Sequence, residues 1–199
     1  MKTNRSQIRY SQRNPFEQLL SFVLSTLIIS NCFTPYIIMA NPSGEQVIQG
    51  AANFARNGNQ LTINQGSDRA VINWGNFSIG QNEITKFIQP GASSAVLNRV
   101  IGGNGSEIMG HLQSNGQLFL INPNGILFGK DAVVNTGAFL ASTLNVTNEE
   151  FMTGGDMIFE GDSDANITNL GSISADGGDV FLIAQSVSNQ GYIGAKDGT

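Results

Sequence analysis

The chain has 199 residues, with 10 Lys and Arg against 15 Asp and Glu, one His, one Cys and 24 Gly, for a formal charge of −5. Four of the ten basic residues and the cysteine fall in the first forty positions, so the remainder keeps six basic against fourteen acidic residues. That balance argues against nucleic acid or an anionic membrane surface as a partner, and the missing cysteines exclude a disulfide framework after residue 40.

Lys2, Arg5, Arg9 and Arg13 precede an apolar run from Leu19 to Ile29, and "IIMA" ends at Ala40 in a small residue. This is the three-part pattern of a secretory signal peptide over residues 1–40. The run falls short of the ~20 apolar residues that span a bilayer, and Pro35 interrupts its extension. Cys32 does not make a lipoprotein signal, because Asn31 stands where a small Gly, Ala or Ser is needed.

After residue 40 helical periodicity is nearly absent. Short runs rich in Val, Ile, Leu and Phe occupy 46–49, 60–64, 70–73, 84–88, 95–101, 118–128, 157–160 and 180–184, separated by Gly, Asn, Asp and Ser. The chain therefore reads as all-β with close turns. Residues 41–66 precede any clear repeat and suit a cap over the first, otherwise unpaired, strand edge. The stretch 84–109 fits a regular period poorly and suggests extra hairpins on the flank.

"INPNGILF" places Asn122, Pro123, Asn124 and Gly125 between the apolar runs LFLI and ILF. Proline at the second turn position pre-sets φ, asparagine tolerates the bridge or left-handed region, and glycine closes the turn without a Cβ. A tight turn is expected there, with Ile126 returning to the core.

"NLGSISADGG" from Asn169 returns as "NQGYIGAKDG" from Asn189, so Asn, Gly, Ile and Ala recur at an offset of twenty. The related Asn-x-Gly-x-apolar segments begin at Asn73 and Asn135. A period near twenty suggests one coil of a β-solenoid, stacked at the ~4.8 Å strand spacing. Asn73, Asn135, Asn169 and Asn189 are then expected at one corner, where amides can bond their copies above and below. The last residues lie inside a repeat, which suggests a fragment boundary with more coils to follow.

Signatures of catalysis are sparse. His111 is the only histidine and has no cysteine near it to build a zinc site, and no G-x-S-x-G elbow occurs. Asp162, Asp164 and Asn166 begin like a calcium loop, but Ile167 replaces its glycine and Ile173 its closing glutamate. "GGNGSE" from Gly102 is a single copy of a calcium nonapeptide that works only in tandem. "GILFGKD" puts Asp131 where a phosphate loop needs Ser or Thr. Sequons at Asn76, Asn104, Asn145 and Asn166 are close to what composition alone supplies. No enzyme, cofactor or metal is expected.

The run "NGQLFLINPNGILFGKDAVVNTGAFLASTLNV", with "INWGNFSIGQNEITKFIQPGASSAVLNRVIGG" upstream, closely resembles the two-partner secretion (haemagglutination activity) domain. That domain stands at the N-terminus of filamentous haemagglutinin-like and high-molecular-weight adhesin exoproteins of Gram-negative bacteria. The Asn-Pro-Asn-Leu motif of one subgroup is absent, which places the chain nearer the adhesin subgroup. The resemblance implies a right-handed parallel β-helix with an N-terminal cap and extra-helical β-hairpins. It divides the chain into signal peptide (1–40), secretion domain (41–165) and first shaft repeats (166–199). The implied partners are the general secretion machinery with signal peptidase, and an outer-membrane transporter of the two-partner type. Host or neighbouring cells are reached through downstream regions, and the product is secreted or held at the cell surface. Asn122 to Ile126 are the candidate secretion motif, acting by transporter contact or by nucleating the fold. A polysaccharide-active enzyme on a β-helix and a self-contained carbohydrate- or cell-binding module are the alternatives.

Overall fold

The structure, a computed structural model, describes residues 41–198. The expected signal peptide lies outside the described residues.

Two strands open the fold, β1 (Gln46–Gln49) and β2 (Ala52–Asn57), and both pair antiparallel, with β4 (Arg69–Trp74) and β3 (Gln60–Gln65) respectively. Every later pairing between strands is parallel. The second coil is β5 (Ile84–Ile88), β6 (Ala95–Val100) and β7 (Ser106–Ile108), and the third β8 (His111–Ser114), β9 (Gln117–Ile121) and β10 (Ile126–Phe128). The fourth begins with β11 (Val133–Thr136) and β12 (Ala138–Ser142) and ends with β13 (Asn166–Asn169). Then come β14 (Ser172–Ala175), β15 (Val180–Ile183), β16 (Ser186–Asn189) and β17 (Tyr192–Ala195). The strands line up in three sheets, seven-stranded (β17-β14-β11-β8-β5-β3-β2), six-stranded (β1-β4-β6-β9-β12-β15) and four-stranded (β16-β13-β10-β7), and each complete coil adds one strand to each. The result is a parallel β-helix of about six turns with an antiparallel cap.

Alternation along the strands fills the interior. Leu61, Ile63, Ile72, Trp74, Phe87, Leu112, Leu118, Leu120, Phe128 and Val134 are all buried in one continuous core. Several polar residues in this interior are paired, although Thr136 Oγ1 is buried without a hydrogen-bond partner among the described residues. Asn98, fully buried, accepts from Trp74 Nε1 at 2.9 Å and donates to the Phe119 carbonyl at 3.2 Å. At the corner between the seven- and six-stranded sheets, Gln89 Nε2 donates to Gln65 Oε1 at 3.1 Å, and Ser114 Oγ bonds Gln89 Oε1. The glycines at that corner are needed for close approach: Gly137 donates to the Gly116 carbonyl at 2.9 Å, and a Cβ on Gly137 would lie 3.0 Å from that oxygen.

Residues 84–109 are corrected by this topology: they form the whole second coil, β5, β6 and β7, and no flanking hairpin. The run 157–160 is no strand either. It lies in an excursion, residues 143–165, that leaves the coil between β12 and β13 and is closed by a single antiparallel bridge, Asn145 to Glu160. The excursion holds a helix absent from the sequence reading, α1 (Asn148–Thr153), capped by a reciprocal pair in which Thr147 Oγ1 accepts from Glu150 N and Glu150 Oε2 from Thr147 N. Six residues are too few for helical periodicity to register, but Thr147-x-x-Glu150 was readable as a capping box.

The cap is fastened by a bidentate ion pair, Arg56 to Glu45 at 2.7 and 2.8 Å, while Arg56 Nη2 also donates to the Pro42 carbonyl at 2.9 Å. The guanidinium holds the Glu45 carboxyl below its ordinary range. A depressed folded-state pKa stabilises at neutral pH and loses that contribution as acid protonates the group. Urea unfolding from pH 7 to pH 3 should therefore show a steeper loss for the wild type than for Glu45→Gln. The difference should stay below about 1 kcal/mol because the pair is partly solvated.

Candidate functional site

Asn122 to Gly125 form the corner between β9 and β10 in the third coil. Gly125 N donates to the Asn122 carbonyl at 3.1 Å, which closes a four-residue turn with Pro123 at its second position. Among the described residues no non-glycine has positive φ, so Asn124 occupies the bridge region of a type I turn rather than the left-handed well. Gly125 has φ +99°, a conformation that only glycine adopts cheaply.

Asn122 is fully buried, and its amide is saturated. Nδ2 donates to the Asn104 carbonyl at 3.0 Å and to Ser106 Oγ at 2.9 Å, both in the coil before. Oδ1 accepts from Asn124 N at 2.9 Å and Asn124 Nδ2 at 3.1 Å within the turn. Asn124 Nδ2 also reaches the Gly102 carbonyl at 2.9 Å, and Ser163 Oγ donates to the Pro123 carbonyl at 2.6 Å from the coil after. Asn122 N donates to the Ser142 carbonyl at 2.9 Å. Pro123 and Asn124 are exposed, whereas Ile126 packs in the core between Ser106 and Ile167. The five residues thus combine an exposed tip with a buried clamp across three coils.

Of the four asparagines assigned to one corner, Asn169 and Asn189 do stack. Both end strands of the four-stranded sheet, and Asn169 Nδ2 donates to Asn189 Oδ1 at 2.8 Å, while each Oδ1 accepts the backbone N–H two residues on. Asn73 and Asn135 are corrected: Asn73 lies in the six-stranded sheet opposite Arg99, and Asn135 faces outward from the seven-stranded sheet beside Gln113. An Asn-x-Gly segment marks a strand exit at any corner, and only the register tells which. His111 starts β8 on the exposed face, and Asp162 and Asp164 lie exposed in the excursion.

Sequence reasoning missed a second apolar cluster on the outer face of the six-stranded sheet. Val71, Leu97, Phe119 and Leu140 stand in register there, and the excursion covers them with Val146 and Phe151. Two arginines clip it down. Arg69 Nε donates to the Phe151 carbonyl at 2.6 Å with its guanidinium 4.5 Å from that ring. Arg99 donates to Asn145 Oδ1, Asn148 Oδ1 and the Val146 carbonyl at 2.7–2.8 Å. Burial lowers the pKa of both arginines, yet a guanidinium keeps its charge in a protein, so Arg99 is a cation held by neutral acceptors. Arg99→Ala should loosen the excursion without unwinding the helix of strands. Limited proteolysis should then cut within residues 143–165 at least several-fold faster, while the remaining fragment stays resistant.

The family of the TPS secretion domain matches residues 38–199. The chain belongs to this family. Among solved structures, the HMW1 secretion domain from Haemophilus influenzae aligns with a TM-score of 0.73 and 42% identity, over 78% of this chain and 42% of that one. Two curated relatives, both named Heme/hemopexin-binding protein and both from Haemophilus influenzae, are 43% identical over 102 residues and 38% identical over 124 residues. These alignments cover 51% and 61% of this chain but only 11% and 13% of the relatives, so the TPS secretion domain corresponds to a small part of each. The relatives matched are secretion domains and binding proteins.

Proposed function

We propose that this TPS secretion domain is the export address of a large surface adhesin. A signal peptide over residues 1–40 carries the chain through the general secretion machinery and is removed by signal peptidase. In the periplasm a dedicated outer-membrane β-barrel transporter recognises residues 41–165 through Asn122, Pro123, Asn124, Gly125 and Ile126. Stacking then proceeds at the cell surface into the shaft that begins at residue 166, and the free energy of coil formation makes passage directional. The exoprotein ends secreted or surface-held, where its downstream length meets host or neighbouring cells. The domain itself is no enzyme, takes no cofactor and binds no nucleic acid.

The observation that carries this reading is the Asn122 amide, whose partners come from the coil before it and from its own turn. Such a clamp forms only when coils have stacked. In an unfolded chain the same residues are a short, polar, proline-stiffened signal open to a receptor; in the folded chain they are locked. The absence of cysteine after residue 40 suits the route, since no disulfide can close a loop that must thread a pore.

The test is export of the 199-residue chain in a Gram-negative host with and without a candidate transporter encoded beside it. Appearance in the medium only with the transporter is the expected result. Retention in the periplasm as a protease-resistant β protein in both cases overturns the reading.

A further inference from the structure

Before the coils stack, the turn can close on its own neighbours. Asn122 Oδ1 accepts from Asn124 N and the Asn122 carbonyl from Gly125 N, bonds that need no residue outside the turn. Among the groups left facing outward are the amide donors of Asn122 and Asn124 and the carbonyls of Pro123 and Gly125. In the folded chain Ser163 takes the Pro123 carbonyl, and one short segment, residues 102–106, takes the others. The Gly102 and Asn104 carbonyls and Ser106 Oγ accept the two amides, and Ser106 N donates to the Gly125 carbonyl at 3.0 Å. Gly105 lets the segment lie this close, since a Cβ there would stand 3.1 Å from the Asn124 carbonyl oxygen. Ser106 is buried, and from it β7 runs in parallel register along β10, Ser106 beside Ile126 and Ile108 beside Phe128.

We propose that residues 102–106 are the chain's own competitor for the transporter, so that docking of β7 on β10 displaces the receptor from the turn, with Ser106 completing the exchange. The inference rests on the two-partner reading above and adds how the complex ends. A receptor for the unstacked turn must offer what this segment offers, acceptors for two amides and a donor for a carbonyl, so the two exclude each other. The topology sets the order of events. β7 and β10 meet only after β8 and β9 have wrapped between them, and those strands stack on β5 and β6. The receptor therefore has the turn to itself until the second coil stands. From then on Ser106, 16 residues from Asn122, competes from within the same chain at an effective concentration on the order of mM. Because the receptor holds only the unstacked form, each step of stacking weakens its hold.

Capture and release have to be read separately. The exported chain is unfolded in urea and diluted into the purified periplasmic module of its transporter, labelled for fluorescence anisotropy. Ser106→Ala and Gly105→Ala leave residues 122–126 intact and should be captured at the wild-type rate. Each should then be released about fivefold more slowly, the equivalent of one ordinary hydrogen bond. Ile173→Val, a buried change in β14 beyond the turn, controls for folding in general. With a comparable loss of stability in urea unfolding, it should be released as fast as the wild type. Wild-type release of Ser106→Ala and Gly105→Ala overturns the proposal. So does an equal delay with Ile173→Val, because release then tracks overall folding. Slower capture of the first two variants overturns it as well, since residues 102–106 then belong to the address itself. If the module captures no wild-type chain the inference falls, and if export also proceeds without any transporter the two-partner reading falls with it.

Discussion

Asn122→Ala should destabilise the folded chain by about 3 kcal/mol and bring transporter-dependent export close to zero. The substitution strands the Asn104 carbonyl, Ser106 Oγ and Asn124 N, of which Ser106 is buried. An unsatisfied buried polar group costs about 1–3 kcal/mol, and the tip, which water can reach, adds less. For a domain of this size the loss corresponds to a fall of roughly 6–12 °C in melting temperature. Asn124→Ala removes the side-chain bonds to the Gly102 carbonyl and Asn122 Oδ1 from an exposed position, while Asn122 Oδ1 keeps the Asn124 N–H, and should cost only about 0.5–1 kcal/mol. The pair therefore separates two roles for the turn. Nucleation alone predicts that export falls in proportion to stability, so Asn124→Ala would be exported nearly as well as the wild type. Direct contact predicts that Asn124→Ala, at the exposed tip, loses export with its melting temperature almost intact. We expect the second result, read as secreted fraction against melting temperature for both variants.

How much of this could be read beforehand varies along the chain for physical reasons. The turn at Asn122 was legible because Pro and Gly fix backbone geometry locally, whatever surrounds them. The coil period was legible only where coils are minimal. Ser172 and Tyr192 are partners twenty residues apart, but Ile84 pairs with His111, His111 with Val133, and Val133 with Ser172 across the excursion. A solenoid tolerates corners of different length as long as the strands stay in register, so early coils hide their repeat. The excursion itself was illegible as a unit: Phe151, Met157 and Phe159 read as ordinary apolar residues, and nothing local says that they cover the outside of a sheet. Thr147 and Glu150 were the one readable mark of its helix.

The site had the same split. Asn122 was singled out for its turn, yet its side-chain partners Asn104 and Ser106 come from another coil and depend on register. The asparagine column shows the limit of local reading. Asn169 and Asn189 share a four-position match and stack, while Asn73 and Asn135 share only the Asn-x-Gly fragment and fall in different sheets.

Trp74→Ala should be the most damaging single change in the first coil, at about 3–5 kcal/mol. Trp74 is fully buried between the cap and the core, with Phe54 edge-on at 5.7 Å and Phe77 at 5.4 Å. Its Nε1 is also the donor to Asn98 Oδ1, and Asn98 in turn reaches the Phe119 carbonyl in the third coil. Trp74→Phe keeps most of the apolar volume and removes only that donor, so it should cost about 1–3 kcal/mol, the penalty of one buried acceptor left alone. Urea unfolding of the exported chain gives both numbers. Light scattering should rise with Trp74→Ala, because a cap that opens uncovers the parallel edges of β3 and β4 to other chains. This residue also calibrates the turn. Trp74 is fully buried in the folded chain and lies outside the Asn122–Ile126 turn, so its variants report folding alone. If Trp74→Phe is brought to the same stability loss as Asn122→Ala and is still exported, the excess export defect of Asn122→Ala is the part due to recognition. If the two fall together, the turn acts only through the fold.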